Sequence, residues 1–409
     1  MDFKDIFRAL QHRNYRLFFA GQSISLIGTW MQSIAMSWLV YRLTNSAFLL
    51  GIVGFLGQLP AFLLMPFAGV FADRYNRHRI LLVTQSLAML QALVLTALVF
   101  TNTIVVWQII VLSVCQGLIN AFDMPVRQAF TVEMIGKRGD LGNAIALNSS
   151  MVNVARLIGP SIAGILIAVA GEGVCFLINA LSYCAVIASL LAMKITPRVL
   201  NPSHNHVLYD IREGFRYVFN SGSIKTILIL LSLISLMGVP YQVLMPVFAR
   251  DIFHGGPKTL GFLMAMAGFG ALIGALYLAG KKHAAGLERL IPAAAVLFGF
   301  GIMVFSFSRV FWFSLLAIFV SGFAMMVQMA ASNTVLQTIV EEDKRGRLMS
   351  FYTMSFMGMV PFGSLLAGSA ASTLGAPNTL FLGGVICIIG AVVFEIWRRR
   401  LCISGAPGS

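Results

Sequence analysis

The sequence predicts an all-α integral membrane protein: twelve transmembrane helices in two pseudo-symmetric six-helix bundles, with both termini cytoplasmic. Three observations carry that expectation. The 409 residues are 58% apolar and 11% charged, with a mean hydropathy of +0.86, which leaves too little polar surface for a soluble chain. The apolar runs are continuous and about 20 residues long, the length a helix needs to cross a bilayer; a β-barrel would show alternating segments of about 10. The basic residues, finally, collect on one side.

In order, the runs place spans at 17–41, 47–71, 80–100, 104–124, 143–170 and 174–193, then at 224–248, 259–279, 290–308, 310–333, 348–373 and 379–397. With the N-terminus inside, 24 of the 29 Lys and Arg fall in cytoplasmic segments, and Arg42, Arg250, Lys258 and Arg309 face the other way. Arg156 alone lies deep within a span. That bias orients the chain and explains the net charge of +14 without a nucleic-acid partner. The opening Met1-Asp-Phe-Lys-Asp-Ile-Phe-Arg8 lacks a signal-peptide pattern and reads as a short amphipathic helix on the inner surface.

The expected domains are a six-helix bundle over 1–193, a cytoplasmic linker over 194–223 and a second bundle over 224–409. The linker holds Pro197, Pro202 and an amphipathic stretch starting at Val207. His204 and His206 have no other ligand type nearby and read as loop residues, not a metal site. The five cysteines are scattered and read as small core residues. Methionines such as Met264, Met325 and Met329 read as core filler. No metal or cofactor is expected. The chain has no GxxxxGK[ST], so the proton-motive force, and not ATP, is the expected energy source.

The halves resemble each other. Gly159-Pro-Ser-Ile-Ala163-Gly164 aligns with Gly363-Ser-Leu-Leu-Ala367-Gly368 at an offset of 204, and Leu50-Gly51 resembles Leu260-Gly261. Secondary transporters are built from such repeats, with substrate bound between them.

Two features stand out as working parts. The first is the charged elbow Gly69-Val-Phe-Ala-Asp73-Arg74-Tyr-Asn-Arg77-His-Arg79, set between the uncharged runs 48–71 and 80–100; burying its charges would cost several kcal/mol each, roughly, so it must sit at a membrane surface. The second is Arg156, about 20 Å into its span at 1.5 Å per residue and beyond easy snorkelling. It shares a helix face with Ser149, Asn153 and Pro160. An intramembrane charge suggests a functional site; the structural alternative is an ion pair, with Asp123 as a partner. Gln32, Gln116, Asn120, Gln242, Gln328 and Asn333 are further polar residues inside spans, either lining a wet cavity or joining helices by hydrogen bonds. The scarcity of carboxylates in the spans disfavours cationic cargo.

These residues resemble a family. Gly69-x-x-Ala72-Asp73-Arg74-x-x-Arg77-x-Arg79 is similar to the signature loop of the major facilitator superfamily, with Asn76 in place of a second glycine. Gly159-Pro160-x-x-Ala163-Gly164 resembles its antiporter motif, and Gln116-Gly117 part of a third motif whose arginine is replaced by Ser113. Asp123-x-Pro125-x-Arg127-Gln128 is similar to the exporter branch that includes the enterobactin exporter. The resemblance implies a conformational switch made of Gly69, Asp73, Arg74, Arg77, Gly159, Pro160 and Gly164. Asp73 would latch near the start of the eleventh span, Pro160 would bend the fifth, and the glycines would let helices close tightly. Asp123 is the first candidate to take a coupling proton, with Arg127 beside it.

The expectation is a non-enzymatic, monomeric carrier in the bacterial inner membrane. It would export a small anionic or neutral amphipathic molecule, siderophore or drug-like, by alternating access. An importer of a nutrient or lysolipid, or a non-transporting receptor, are the alternatives.

Overall fold

The computed structural model describes residues 7–135, 138–194, 221–281, 286–341 and 344–404. The linker expected over 194–223 falls almost wholly outside them, as does most of the expected N-terminal amphipathic helix. Among the described residues every regular element is helical. The first six long helices are α1 (Arg13–Thr44), α2 (Ala47–Arg74), α3 (Arg77–Phe100), α4 (Val106–Met134), α5 (Leu141–Ala170) and α6 (Glu172–Leu191). Then come α7 (Gly222–Met237), α8 (Tyr241–Val247), α9 (Pro257–Ala279), α10 (Leu287–Phe307), α11 (Phe311–Ile339), α12 (Arg345–Met357), α13 (Val360–Leu374) and α14 (Ala376–Ser404).

Eleven stretches of the described chain are long and apolar enough to cross a membrane, counting α7 with α8 and α12 with α13 as one each. α1 is not among them. At 32 residues it has the length, about 48 Å. Gln22, Ser23, Ser25, Thr29, Gln32, Ser33 and Ser37 lower its hydropathy.

Three expectations change. The fourth span was expected to end at 124; α4 continues to Met134 through Pro125, so Asp123 and Arg127 lie on a helix and not at its end. The seventh span breaks between α7 and α8 at Gly238-Val239-Pro240, where proline lacks the N–H a continuous helix needs. The eleventh breaks at Gly358-Met359, with Pro361 in the first turn of α13, a position proline favours.

The chain forms two compact units. One comprises Met1–Asn45, Leu56–Ser203 and Gly255–Ala265; the other comprises Ser46–Phe55, His204–His254 and Met266–Ser409. Each unit thus takes in a short piece from the opposite half of the sequence, and glycines explain why. In the first unit, a Cβ at Gly261 would lie 2.6 Å from the Pro160 carbonyl oxygen and 2.9 Å from the Gly164 Cα. In the second, a Cβ at Gly51 would lie 2.7 Å from the Ser364 oxygen and 2.9 Å from the Gly368 Cα. Only glycine permits backbones this close. The partners are the repeat positions themselves, since 160 and 164 become 364 and 368 at the offset of 204. The repeat extends to Gly171 and Gly375, at φ 80° and 83°, which end α5 and α13.

The core of the first unit packs Tyr15 and Phe18 of α1, Leu81 of α3, Val126 and Phe130 of α4, and Val186 and Leu190 of α6. The Tyr15 hydroxyl donates to the Ala144 carbonyl at 3.0 Å, tying α1 to α5. In the second unit Tyr241 and Phe298 meet edge-on at 6.3 Å, and Phe248 packs on Phe305 at 4.7 Å.

Candidate functional site

The sequence places Asp123, Pro125 and Arg127 within one turn of α4, so the carboxylate and guanidinium share a face. Asp123 is 4% exposed. Its Oδ1 accepts from the Thr84 hydroxyl at 2.9 Å and from the Gln85 amide at 2.7 Å, both on α3. Its Oδ2 lies 3.3 Å from the Arg127 guanidinium. The Gln85 Oε1 is buried and has no hydrogen-bond partner. Two hydrogen-bond donors and one cation meet at the one carboxylate, next to an acceptor left over.

A second polar cluster joins four helices. Gln32 of α1 donates to Gln91 of α3 at 3.0 Å, and Gln91 donates to the Leu112 carbonyl of α4 at 3.2 Å. Asn179 of α6 donates to Gln32 at 2.8 Å, and Ser182 donates to Asn179 at 3.2 Å. All four side chains are buried. Gln32 therefore spends its amide on neighbouring helices. Such bonds are worth about 0.6–2 kcal/mol each in a membrane.

Arg156 sits midway along α5, half-buried, with its guanidinium 5.7 Å from the centre of the Trp30 ring of α1. Asp123 pairs with Arg127, so in place of the Arg156–Asp123 pair considered from sequence Arg156 makes a cation–π contact with Trp30. Among the described residues Arg156 meets no carboxylate, and Glu172, the other buried acid of this unit, is taken by Arg42 at 2.7 Å. A cation–π contact returns about 0.5–2 kcal/mol, less than the roughly 2.5–3.5 kcal/mol that an arginine at a helix centre costs on insertion scales. Gly159 lets α5 approach α1 closely at this point: a Cβ there would lie 2.5 Å from the Cβ of Trp30. Pro160 has no N–H, so the helix bond to the Arg156 carbonyl cannot form; α5 nonetheless runs unbroken through it. Asn153 donates to the Ser149 carbonyl at 2.9 Å, one turn before Arg156.

At the elbow, Gly69, Asp73 and Arg74 lie in the last turns of α2, and the side chains of Asp73 and Arg74 fall outside the described residues. Asn76, the departure from the glycine of the signature, caps α3: its side chain accepts from the Arg79 N–H at 3.2 Å. Arg77 bonds Glu133 at the end of α4 at 2.7 Å, and the His78 ring meets the Leu190 carbonyl of α6 at 2.8 Å.

The remaining candidates lie apart. Gln116 donates to Asn120 at 3.1 Å, and its buried Oε1 has no partner. In the second unit Gln242 is 3.5 Å from the Tyr241 hydroxyl. Gln328 donates to Ser332 at 3.3 Å, and Asn333 accepts from Gln337 at 2.5 Å. Sequence reasoning missed Thr84, Gln85, Gln91, Asn179 and Glu133. Their polarity was visible; the helix faces they share were not.

The major facilitator family model described as "Transmembrane secretion effector" matches residues 5–402. The chain is 28% identical over 389 residues to the staphyloferrin A transporter of Staphylococcus aureus, covering 94% of this chain and 96% of that protein. It is 26% identical over 398 residues to the enterobactin exporter EntS of Shigella boydii, covering 95% and 94%. Among solved structures, an inward-facing bacterial homologue of the human lysosomal transporter Spinster matches with a TM-score of 0.73 at 13% identity, covering 97% of this chain and 99% of that one.

Proposed function

Because the chain belongs to the transmembrane secretion effector family of the major facilitator superfamily, we propose that it is a proton-driven exporter of a small anionic or neutral amphipathic molecule. It is a multi-pass membrane transporter and not an enzyme. The finer reading gives it twelve spans, split into bundles at 1–193 and 224–409. Both termini would be cytoplasmic, in a monomer of the bacterial inner membrane. Two relatives named for siderophore transport make a siderophore the first cargo to try and a drug-like compound the second.

The observation that carries alternating access is the pair of repeat-related glycine crossings, Gly164 on Gly261 and Gly51 on Gly368. Equivalent close seams at equivalent repeat positions suit a machine that closes one side of the membrane with the same device twice. Gly159, Pro160 and Gly164 then serve the switch. The elbow, with Asp73 and the Arg77–Glu133 pair, serves it at the other end of α2.

Asp123 takes the coupling proton in this reading. Protonation would remove the charge that Arg127 faces, and the spare acceptor on Gln85 could receive the new O–H after its amide turns over. Each proton entering down the membrane potential supplies about 2.3 kcal/mol per 100 mV. At about 150 mV that sustains a several-hundred-fold gradient of a neutral solute.

The test is flux in proteoliposomes with the proton gradient imposed in each direction, using metal-free siderophores as cargo. Export predicts flux out of the compartment corresponding to the cytoplasm, driven by protons entering it and lost in Asp123→Asn. Proton-driven flux into that compartment would establish an importer instead. Full-rate transport by Asp73→Asn would remove the elbow from the switch.

A further inference from the structure

We propose that Arg156, in cation–π contact with Trp30, is the contact for one carboxylate group on the transported molecule. The proposal rests on the transport reading above and deepens it by naming the chemical class of the cargo.

Four observations converge. Arg156 is the only Lys or Arg the sequence places deep inside a span, and the structure sets it midway along the 30 residues of α5, about 20 Å from either end. Snorkelling cannot bring its head group to water from there. The buried acids of the same unit are already matched, Asp123 by Arg127 and Glu172 by Arg42, and among the described residues none approaches Arg156. Arg156 as a residue is partly exposed, so it is not sealed within the protein. Last, the two helices meet closely here: a Cβ at Gly159 would lie 2.5 Å from the Trp30 Cβ, so the glycine lets α5, which carries the cation, approach the part of α1 that carries the ring.

Geometry selects the ligand. A guanidinium held against an aromatic ring still has N–H donors in its own plane, and that fork fits a planar carboxylate through two parallel bonds. Charge selects further. One arginine balances one negative charge, whereas a phosphate monoester carries about −1.5 to −2 at pH 7 and would leave an excess anion in the membrane interior.

The test uses the full chain in lipid nanodiscs and four probes of one shape: 1-naphthoate, 1-naphthamide, 1-naphthylmethylammonium and 1-naphthyl phosphate. Equilibrium binding should favour naphthoate over the other three by about tenfold or more, the usual worth of a charge-assisted bidentate contact. Arg156→Gln should abolish the preference. Arg156→Lys, which keeps the charge but loses the fork, should retain a part of it. Trp30→Leu should weaken naphthoate several-fold. Thermal unfolding separates a binding role from a structural one: Arg156→Gln should melt at or above the wild-type temperature, because it removes a charge that has no protein acid to pair with.

Equal binding of naphthoate and naphthamide by the wild type overturns the proposal, as does a naphthoate preference that survives in Arg156→Gln. A melting temperature lowered by several degrees in Arg156→Gln assigns the arginine to structure and overturns it too. A naphthoate preference that depends on Arg156, in a protein that moves nothing across proteoliposomes, would sustain the carboxylate site and sink the exporter reading. Proton-driven flux of siderophores with no naphthoate preference would do the reverse.

Discussion

In the first unit buried amide and carboxylate side chains reach from one helix to another; in the second, the bond from the Tyr352 hydroxyl to the Met329 carbonyl apart, several buried hydroxyls turn back onto their own helix. Asp123, Gln32, Gln91 and Asn179 bond across α1, α3, α4 and α6. Ser306, Ser321 and Thr226 donate instead to carbonyls three or four residues earlier in the same helix. The buried charges follow the same division: Asp123 and Glu172 lie in the first unit, while the buried polar residues of the second are serines, a threonine and a glutamine among the described residues. Aromatic pairs such as Phe248 with Phe305 fill the second core. Chemistry that moves a proton or holds an anion needs charges whose partners are set by register between helices. The first unit has these, and the second supplies packing and its copy of the glycine seam.

The largest expected effect breaks this contrast most sharply. Arg127→Ala leaves the buried Asp123 carboxylate facing only neutral donors and should cost about 3–5 kcal/mol, read by denaturant unfolding in detergent. Arg398→Ala, which removes a contact to Glu395 near the end of α14, should cost about 1 kcal/mol or less. Equal losses would erase the distinction between the units.

The seams are where the units ought to behave alike. Gly164→Val and Gly51→Val each force a side chain into opposing backbone, and each should destabilise by about 1–3 kcal/mol while slowing transport. A large effect at one seam and none at the other would end the repeat-related pairing.

The amide cluster gives a smaller effect. Gln32→Leu or Asn179→Leu should each cost about 0.6–2 kcal/mol, and the double variant should cost less than their sum because the two share a bond. Ser321→Ala, whose hydroxyl serves its own helix, should fall within about 0.5 kcal/mol of wild type. The smallest effect belongs to Asn76→Gly, which restores the glycine of the signature loop and exchanges one cap for another at a few tenths of a kcal/mol.

Much of the fold was legible because a bilayer imposes a simple code: unbroken apolar runs for spans and basic residues between them. The repeat was legible too, and the structure gave it a physical meaning when Gly164 and Gly368 met the second pair of matched glycines. Where the code failed, proline was usually involved. Pro125 sits within α4 and does not end it, whereas Pro240 and the Gly358–Pro361 stretch interrupt spans drawn as continuous. The site was half legible. Asp123, Arg127 and the depth of Arg156 could be picked out from the sequence, but the pairing of Asp123 with Arg127 emerged only once α4 was seen to run on through Pro125. Thr84, Gln85, Gln91 and Asn179 depend on how helices rotate against each other, which no single helix's pattern encodes. Trp30 was visible as an aromatic in the first span; its place under Arg156 required Gly159 to bring α1 and α5 together.

Export is tested most directly by the small molecules released from three strains: one lacking the protein, one producing the wild type, and one producing Asp123→Asn at the same membrane level. Expected is at least one carboxylate-bearing compound that accumulates inside cells lacking the protein and is released again with the wild type but not with Asp123→Asn. Identical release from all three strains, with the wild-type protein present in the membrane, would contradict proton-driven export.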